Sequence, residues 1–378
     1  SDNGPNTGQL TISGGFAYDN VYLVDGVDVN DNVYGTPNNL FIEDAIAEQA
    51  IITSGISAEY GRFGGGIINT VTKRGGNQFQ GSFRANFTNS AWEMETPYEK
   101  DNEITHNDKL NKTFEATLGG PILKDRLWFF AAGRSEQSET SGNYPDLGSP
   151  VTTSIDNKRL IVKLTGTPIA NHTLTGTYTY NGTDQGTTSF TLLGSSGVRS
   201  IDPRTFYNRE LPNSLLGISY NGVLTSNLFL EAQYSQKKYQ FKNAGGNDTN
   251  IINGSPFFTL GIYNSIASFG LYNAPYWDAT DPEDRDNRQF SAALSYFLST
   301  ANFGRHDIKV GYEHYTGIRT GGNSQTPTDY VFYADYVVGD DGKPALQGGR
   351  YQPIWVGGEN VRVKWIATRG AELNVTTQ

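Results

Sequence analysis

Phe79-Gln80-Gly81-Ser82-Phe83-Arg84-Ala85-Asn86-Phe87-Thr88 alternates without a break. Successive side chains of an extended strand point to opposite sides. Phe79, Gly81, Phe83, Ala85 and Phe87 therefore share one face, and Gln80, Ser82, Arg84, Asn86 and Thr88 the other. The same period of two recurs downstream. Phe114, Ala116 and Leu118 oppose Thr113, Glu115 and Thr117; Leu160, Val162 and Leu164 oppose Arg159, Lys163 and Thr165. Leu174, Tyr178 and Tyr180 oppose four threonines at 173, 175, 177 and 179. Leu216–Asn221, Leu228–Ser235, Phe290–Leu298 and Ile308–Glu313 repeat it, and Leu127–Arg134 is apolar on both faces at its start, which makes nine strands.

The connections between these strands alternate in length. Gly119–Arg126, Pro168–Asn171, Thr225–Asn227 and Thr300–Arg305 are short; Asn89–Asn111, Ser135–Asp156, Asn181–Pro212, Gln236–Arg288 and the stretch from Gly317 onward are long and polar. Long loops without structure of their own are uncommon in compact soluble domains. A transmembrane β-barrel has them routinely at one end, with tight turns at the other and strands apolar outside and polar inside. The polar faces here carry Thr, Gln, Arg, Glu and Lys in line, which a dry core would not accept.

Composition agrees. Of 378 residues 44 are Gly, about 12% against a usual share of about 7%. The 22 Tyr and 20 Phe favour strands. With no Cys there is no disulfide framework and no thiolate chemistry. The longest apolar run, Leu127 to Ala132, is far short of the ~18 residues of a membrane-crossing helix. A net charge of −10 argues against a nucleic-acid partner.

Residues 1–76 read differently, as short mixed elements: a strand Val21–Val24 ending in Asp25-Gly26, a short amphipathic helix Ile42–Glu48, a strand Gln49–Ser54 and a strand Ile67–Thr72. Nine acids against three bases (Arg62, Lys73, Arg74) give this part a net −6. Within it stand Tyr22-Leu23-Val24-Asp25-Gly26-Val27, Ile42-Glu43, and the run Ala58-Glu59-Tyr60-Gly61-Arg62-Phe63-Gly64-Gly65-Gly66-Ile67-Ile68-Asn69-Thr70-Val71-Thr72-Lys73-Arg74-Gly75. This run resembles the plug signature of TonB-dependent outer-membrane receptors: Tyr60-Gly61, a glycine cluster, Asn69 and Lys73. Thr117–Phe130, with Gly119-Gly120-Pro121 and Lys124-Asp125, is similar to a strand-turn-strand of their Oar-like branch. Gly64, Gly65 and Gly66 lack the spacing of a phosphate-binding loop. They suit a backbone that turns sharply and passes close to a barrel wall.

The resemblance implies an all-β membrane fold, an antiparallel barrel of roughly 22 strands whose lumen is plugged. Residues 1–76 would be the C-terminal half of the plug and 77–378 the first part of the barrel. It further implies residence in the bacterial outer membrane, no cofactor, no catalysis, an inner-membrane TonB partner reached through a segment absent here, and energised passage of a scarce or bulky substrate, with peptide or protein suggested by the Oar-like branch. A surface adhesin or secretion gate reusing the barrel is the alternative.

No enzyme constellation competes. His106, His172, His306 and His314 are scattered, and the last two lie ~26 Å apart along one strand. The acidic stretch Asp278, Asp281, Glu283, Asp284 and Asp286 has oxygens for Ca²⁺ but reads better as a solvated loop. Trp92, Trp128, Tyr178, Tyr180 and Tyr296 suit interface anchors. Glu115, Glu231 and Glu313 fall on inward faces, so some ion pairs from Arg62 and Arg74 of the plug to these carboxylates are expected to hold the plug, the alternative being that all five residues contact water in the lumen.

Overall fold

The computed structural model describes residues 11–12, 14–32, 35, 37, 42–56, 60–61, 64–101, 106, 108–144, 149–188, 198–200, 202–243, 246–259, 269–276, 283–300, 303–321, 326–328, 330–334, 346–347, 350–351, 361–365 and 373–377. Two bodies of β structure follow one another. The first is a four-stranded sheet of β1 (Val21–Val24), β2 (Val27–Asp28), β3 (Ile46–Ile52) and β4 (Ile67–Thr72), ordered β2-β1-β4-β3. Asp25 and Gly26, at φ 51° and 80°, close β1 onto β2. Positive φ at both central residues is the two-residue hairpin that follows the twist of its strands, and Asp-Gly is a favoured pair for it.

The expected helix at Ile42–Glu48 is not formed. Glu43–Ala45 makes a single 3₁₀ turn and Ile46 already opens β3, paired with Thr72. A helix of seven residues is marginal by itself, and the β4 ladder offers partners to Ile46 and to 48–52, with Ala47 at an irregularity of the register.

The second body is a ten-stranded sheet. Its strands are β5 (Gln80–Thr88), β6 (Asn111–Leu123), β7 (Leu127–Tyr144), β8 (Ser149–Ile169), β9 (His172–Thr188), β11 (Tyr207–Thr225), β12 (Leu228–Phe241), β15 (Glu283–Thr300), β16 (Gly304–Thr320) and β21 (Leu373–Thr377). Each pairs antiparallel with its neighbour in that order, and β5 and β21 are the edges. The long connections carry β10 (Val198–Ser200), β13 (Phe257–Thr259), β14 (Phe269–Tyr272), β17 (Tyr330–Ala334), β18 (Leu346–Gln347), β19 (Arg350–Tyr351) and β20 (Val361–Trp365). Five of these join as a second sheet, β10-β14-β13-β17-β20, and β18 pairs with β19.

Two expectations are corrected here. Much of what reads as long loop at Ser135–Asp156 and Asn181–Pro212 is strand. β7 runs to Tyr144, and β8 spans 21 residues, about 70 Å of chain at ~3.3 Å per residue. The strict alternation fades over these stretches, where most side chains are polar, but the backbone ladder continues. Nor is Gly119-Gly120-Pro121 the turn. β6 continues through it, with Gly120 opposite Phe129 and Pro121 opposite Trp128, and the reversal is Lys124-Asp125-Arg126 with Asp125 at φ 62°.

The large sheet is polar inside and apolar outside. Phe83, Leu118, Leu164, Leu174, Ile218 and Leu294 are exposed, whereas Lys163, Thr179, Asn213, Ser235, Lys237 and Asn287 are buried. The buried face lies against the small sheet. Tyr22, Val24, Val27, Val29 and Ile68 cluster with Leu215 of β11, and Ile42 and Ala45 with Phe130, Ala132 and Ile161 of β7 and β8.

Candidate functional site between the small and large sheets

The small sheet is held to the wall by three groups of polar contacts. The first is centred on Asp25, at the β1–β2 turn. Its carboxylate accepts from the Thr72 amide at 2.9 Å and the Thr72 hydroxyl at 2.7 Å. It also accepts from Lys163 Nζ of β8 at 2.9 Å, and the same ammonium donates to the Thr72 carbonyl at 3.0 Å. Gln233 Nε2 of β12 donates to the Asp25 carbonyl at 2.9 Å. One side chain thus ties the tip of the hairpin, the end of β4 and the wall together.

The second group grips residues 29–32. Lys237, fully buried, donates to the Val29 and Asn30 carbonyls at 3.3 and 2.5 Å. Arg285 of β15 pairs with Asp31 at 3.1 Å and with Glu283 at 2.7 Å, and Glu283 also holds Arg319 at 2.8 Å. The Arg285 guanidinium lies 4.4 Å over the Phe241 ring. Asn32 donates to the Asp286 carbonyl at 2.6 Å and accepts from the Tyr315 hydroxyl at 2.9 Å.

The third group holds the 3₁₀ turn. Arg84 of β5 pairs with Asp44 at 2.5 Å and with Glu115 at 3.3 Å, while Glu115 accepts from the Asp44 amide at 3.3 Å. Arg134 of β7 pairs with Glu43. Burial works against the Glu43 charge, but a backbone hydrogen bond and the Arg134 guanidinium outweigh it, so its carboxyl sits below the ordinary carboxylate range.

The residues singled out in the sequence fall as follows. Glu59 and Arg62 lie outside the described residues. Tyr60 packs with Ile52 against Val21, Leu23 and Ile67. Gly65 and Gly66 approach the small sheet's own elements and not the wall: a Cβ at Gly65 would meet Asn20 Oδ1 at 2.2 Å, and one at Gly66 would meet Ile12 Cγ2 at 2.7 Å and the Ile52 carbonyl oxygen at 2.9 Å. Gly64 likewise faces Asp19. Gly61 has open space around it, and the Lys73 amide donates to the Ala45 carbonyl at 2.7 Å. Asn69 lines a cavity beside the wall. Arg74 is exposed, with no ion pair to a described residue. Glu115 is buried between Arg84 and the Asp44 amide, Glu231 pairs with Lys309 of the wall at 3.1 Å, and Glu313 accepts from Gln289 at 3.2 Å.

The ion pairs between the small sheet and the wall among the described residues have the opposite polarity to the one expected: carboxylates Asp25, Asp31, Glu43 and Asp44 on the small sheet and its loops, cations Lys163, Arg285, Arg134 and Arg84 on the wall. The net −6 of residues 1–76 is the sequence signal that points to this polarity. Of the acidic stretch, Asp278 and Asp281 lie outside the described residues, and Glu283 is occupied by two arginines. Tyr178 and Tyr296 stand exposed on the outward face, Trp92 is exposed in the β5–β6 connection, and Trp128 donates to Asn77 at 2.7 Å.

Comparison with known proteins fits this architecture. Residues 71–144 match the family described as an outer membrane beta barrel domain. Over 126 residues the chain is 41% identical to the TonB-dependent transporter Oar of Myxococcus xanthus, a match covering 32% of this chain and 12% of that protein. In fold it is similar to the outer membrane transporter YddB of Escherichia coli, with a TM-score of 0.60 at 15% identity, over 97% of this chain and 46% of the other. It is also similar to the siderophore receptor PirA of Acinetobacter baumannii, with a TM-score of 0.54 at 13% identity, over 83% and 42%. The chain thus spans less than half the length of these relatives. It is a homologue of Oar over the matched part, has the fold of TonB-dependent receptor barrels, and resides in the bacterial outer membrane.

Proposed function

We propose that residues 1–76 are the C-terminal half of a plug and residues 77–378 the first part of the barrel of a TonB-dependent transporter, in which an inner-membrane TonB complex drives a scarce or bulky substrate past the plug. The observation that carries this reading is the inverted wall. A sheet with exposed Phe, Leu and Ile on one face and buried Lys, Arg, Asn and Thr on the other suits lipid outside and a polar occupant inside. The occupant is the acidic four-stranded sheet, gripped by four ion pairs beside two small apolar clusters. Ion pairs and hydrogen bonds of this kind hold a plug when idle, and can be exchanged for water when it is pulled. The open sheet also supports further strands in the complete protein, because unpaired strand edges do not persist in a hydrocarbon layer.

Peptide or protein cargo is the substrate class we favour, by analogy with the Oar-like resemblance alone. The test is uptake of a fluorescent peptide library by cells with and without the gene, repeated with the proton gradient collapsed by a protonophore. Uptake that needs both the gene and the gradient supports the reading. Surface binding that needs the gene but ignores the gradient overturns it in favour of an adhesin or secretion gate.

A further inference from the structure

Two cavities lie between the plug and the wall, on one side of the lumen. The first, ≈ 250 Å³, is bounded by the Asp25-Gly26 turn, Asn69, Thr177, Ser219 and Gln233. The second, ≈ 310 Å³, is bounded by Thr72, Arg74, Thr165, Thr173 and Asn221. Val71, Lys163 and Thr175 line both. Asp25 faces the first cavity and Thr72 the second, and the Lys163 ammonium bonds to both residues at 2.9 and 3.0 Å. The partition between the cavities is formed by Val71, Thr175 and the Lys163 ammonium with the Asp25 and Thr72 groups it bonds. Thr173 and Asn221 stand near the ends of their strands that carry the short turns 170–171 and 226–227, so the second cavity lies toward that end and the first deeper in the lumen. Such turns face the periplasm in outer-membrane barrels.

We infer that the polar seam between the plug and strands β8, β9 and β11 is a solute route toward the periplasm, and that Lys163, held by Asp25 and Thr72, is the side chain that shuts it. The inference rests on the transport reading for its use but not for its test. The Asp31–Arg285 pair, with side chains 3% and 6% exposed against 18% and 7% for Asp25–Lys163, is the more deeply buried and joins the same two bodies, yet neither residue lines either cavity. That makes it the matched control: losing it loosens the plug without removing the partition.

The experiment is conductance of the intact outer-membrane protein in planar bilayers in KCl. Breaking a buried pair by removing one partner is strongly unfavourable, and Lys163→Met is expected to raise the fraction of time spent conducting roughly a hundredfold, the factor that ~2.7 kcal/mol produces. Asp31→Asn is expected to leak far less than Lys163→Met. Thr175→Trp, placed in the seam shared by both cavities, is expected to return the Lys163→Met protein to the wild-type level while leaving its fold intact by circular dichroism. Equal leak from Lys163→Met and Asp31→Asn overturns the proposal, because it reports a loosened plug. So does Lys163→Met at baseline, or a leak that Thr175→Trp does not block. If Lys163→Met does not fold, Lys163→Gln is measured against the same outcomes. Gradient-independent surface binding would sink the transport reading and leave these conductances unchanged.

Discussion

Gly75 is where the chain leaves the lumen and meets the wall. A Cβ there would lie 2.1 Å from the Phe129 carbonyl oxygen and 3.0 Å from that of Gly120, whereas one at Gly76 would meet nothing within 4 Å. Both obstacles at Gly75 are backbone of paired strands, which cannot swing aside. Gly75→Ala is therefore expected to destabilise the protein by about 1–3 kcal/mol, the usual range for overpacking, and Gly76→Ala to be neutral; thermal unfolding in detergent checks the pair. Asp25 makes the sharper residue-scale case. Asp25→Ala removes the carboxylate that the buried Lys163 ammonium and the Thr72 amide and hydroxyl share, for an expected loss of about 3–5 kcal/mol in plug docking. Limited proteolysis of the plug in the folded barrel would report it, and unchanged protection would refute it. The Asp25-Gly26 turn is legible in the sequence because its chemistry is local. Its partner is not, since Lys163 lies 138 positions away and strand alternation tells which face a residue takes but not what stands across the lumen.

At the scale of elements, alternation located every wall strand it touched but not where the strands stop. It is a record of lipid, and the ladders of β7, β8 and β9 outlast it. The β5–β6 connection holds a signal that alternation misses. Thr96-Pro97-Tyr98-Glu99 is a capping box with Pro in the first turn: the Thr96 amide donates to Glu99 at 2.6 Å, the Glu99 amide to the Thr96 hydroxyl at 3.3 Å, and α1 (Pro97–Asp101) follows. His106 closes the loop, with Nε2 3.2 Å from Glu99 and Nδ1 2.6 Å from the Ser90 carbonyl. The Thr96 amide and hydroxyl and then His106 pull the Glu99 carboxyl down to about 2, while Glu99 and the Ser90 carbonyl raise the His106 imidazole. Glu99, depressed in the fold, contributes above its ordinary 4.5 and loses its contribution as pH falls toward 2. His106, raised in the fold, contributes fully below its ordinary 6.5 and fades as pH rises through the raised value. The loop should be most protected between those two ordinary values. Hydrogen exchange at 97–101, corrected for intrinsic rates, should show the maximum, and His106→Gln should abolish the upper limb and shrink the lower one, which Thr96 still supports. A flat profile would count against the His106–Glu99 contact.

Over the whole molecule, the sequence states its inversion plainly but leaves the plug's grip illegible. A polar inward face follows from spacing alone. The sense of each ion pair depends on how two separately folded sheets meet, and only the −6 of residues 1–76 hints at it. The inversion makes a last prediction that a soluble protein could not satisfy. Leu164 and Lys163 are neighbours on β8, one exposed and apolar, the other buried and charged. In water an exposed Leu is a poor choice, and Leu164→Arg would be neutral or helpful. In a bilayer it places a guanidinium in hydrocarbon, at about 2–4 kcal/mol near the midplane and less toward either surface. Unfolding of the intact protein from phospholipid vesicles in denaturant should show that loss. Phe87→Arg, at the far end of β5 beside the long β5–β6 connection and opposite Lys112, should cost less because it lies nearer the headgroups. The depth dependence is the decisive part. Equal costs at both positions would mean that the outward face reports packing against another protein surface, while a cost that falls from Leu164 to Phe87 identifies lipid as the solvent against which this sheet is built.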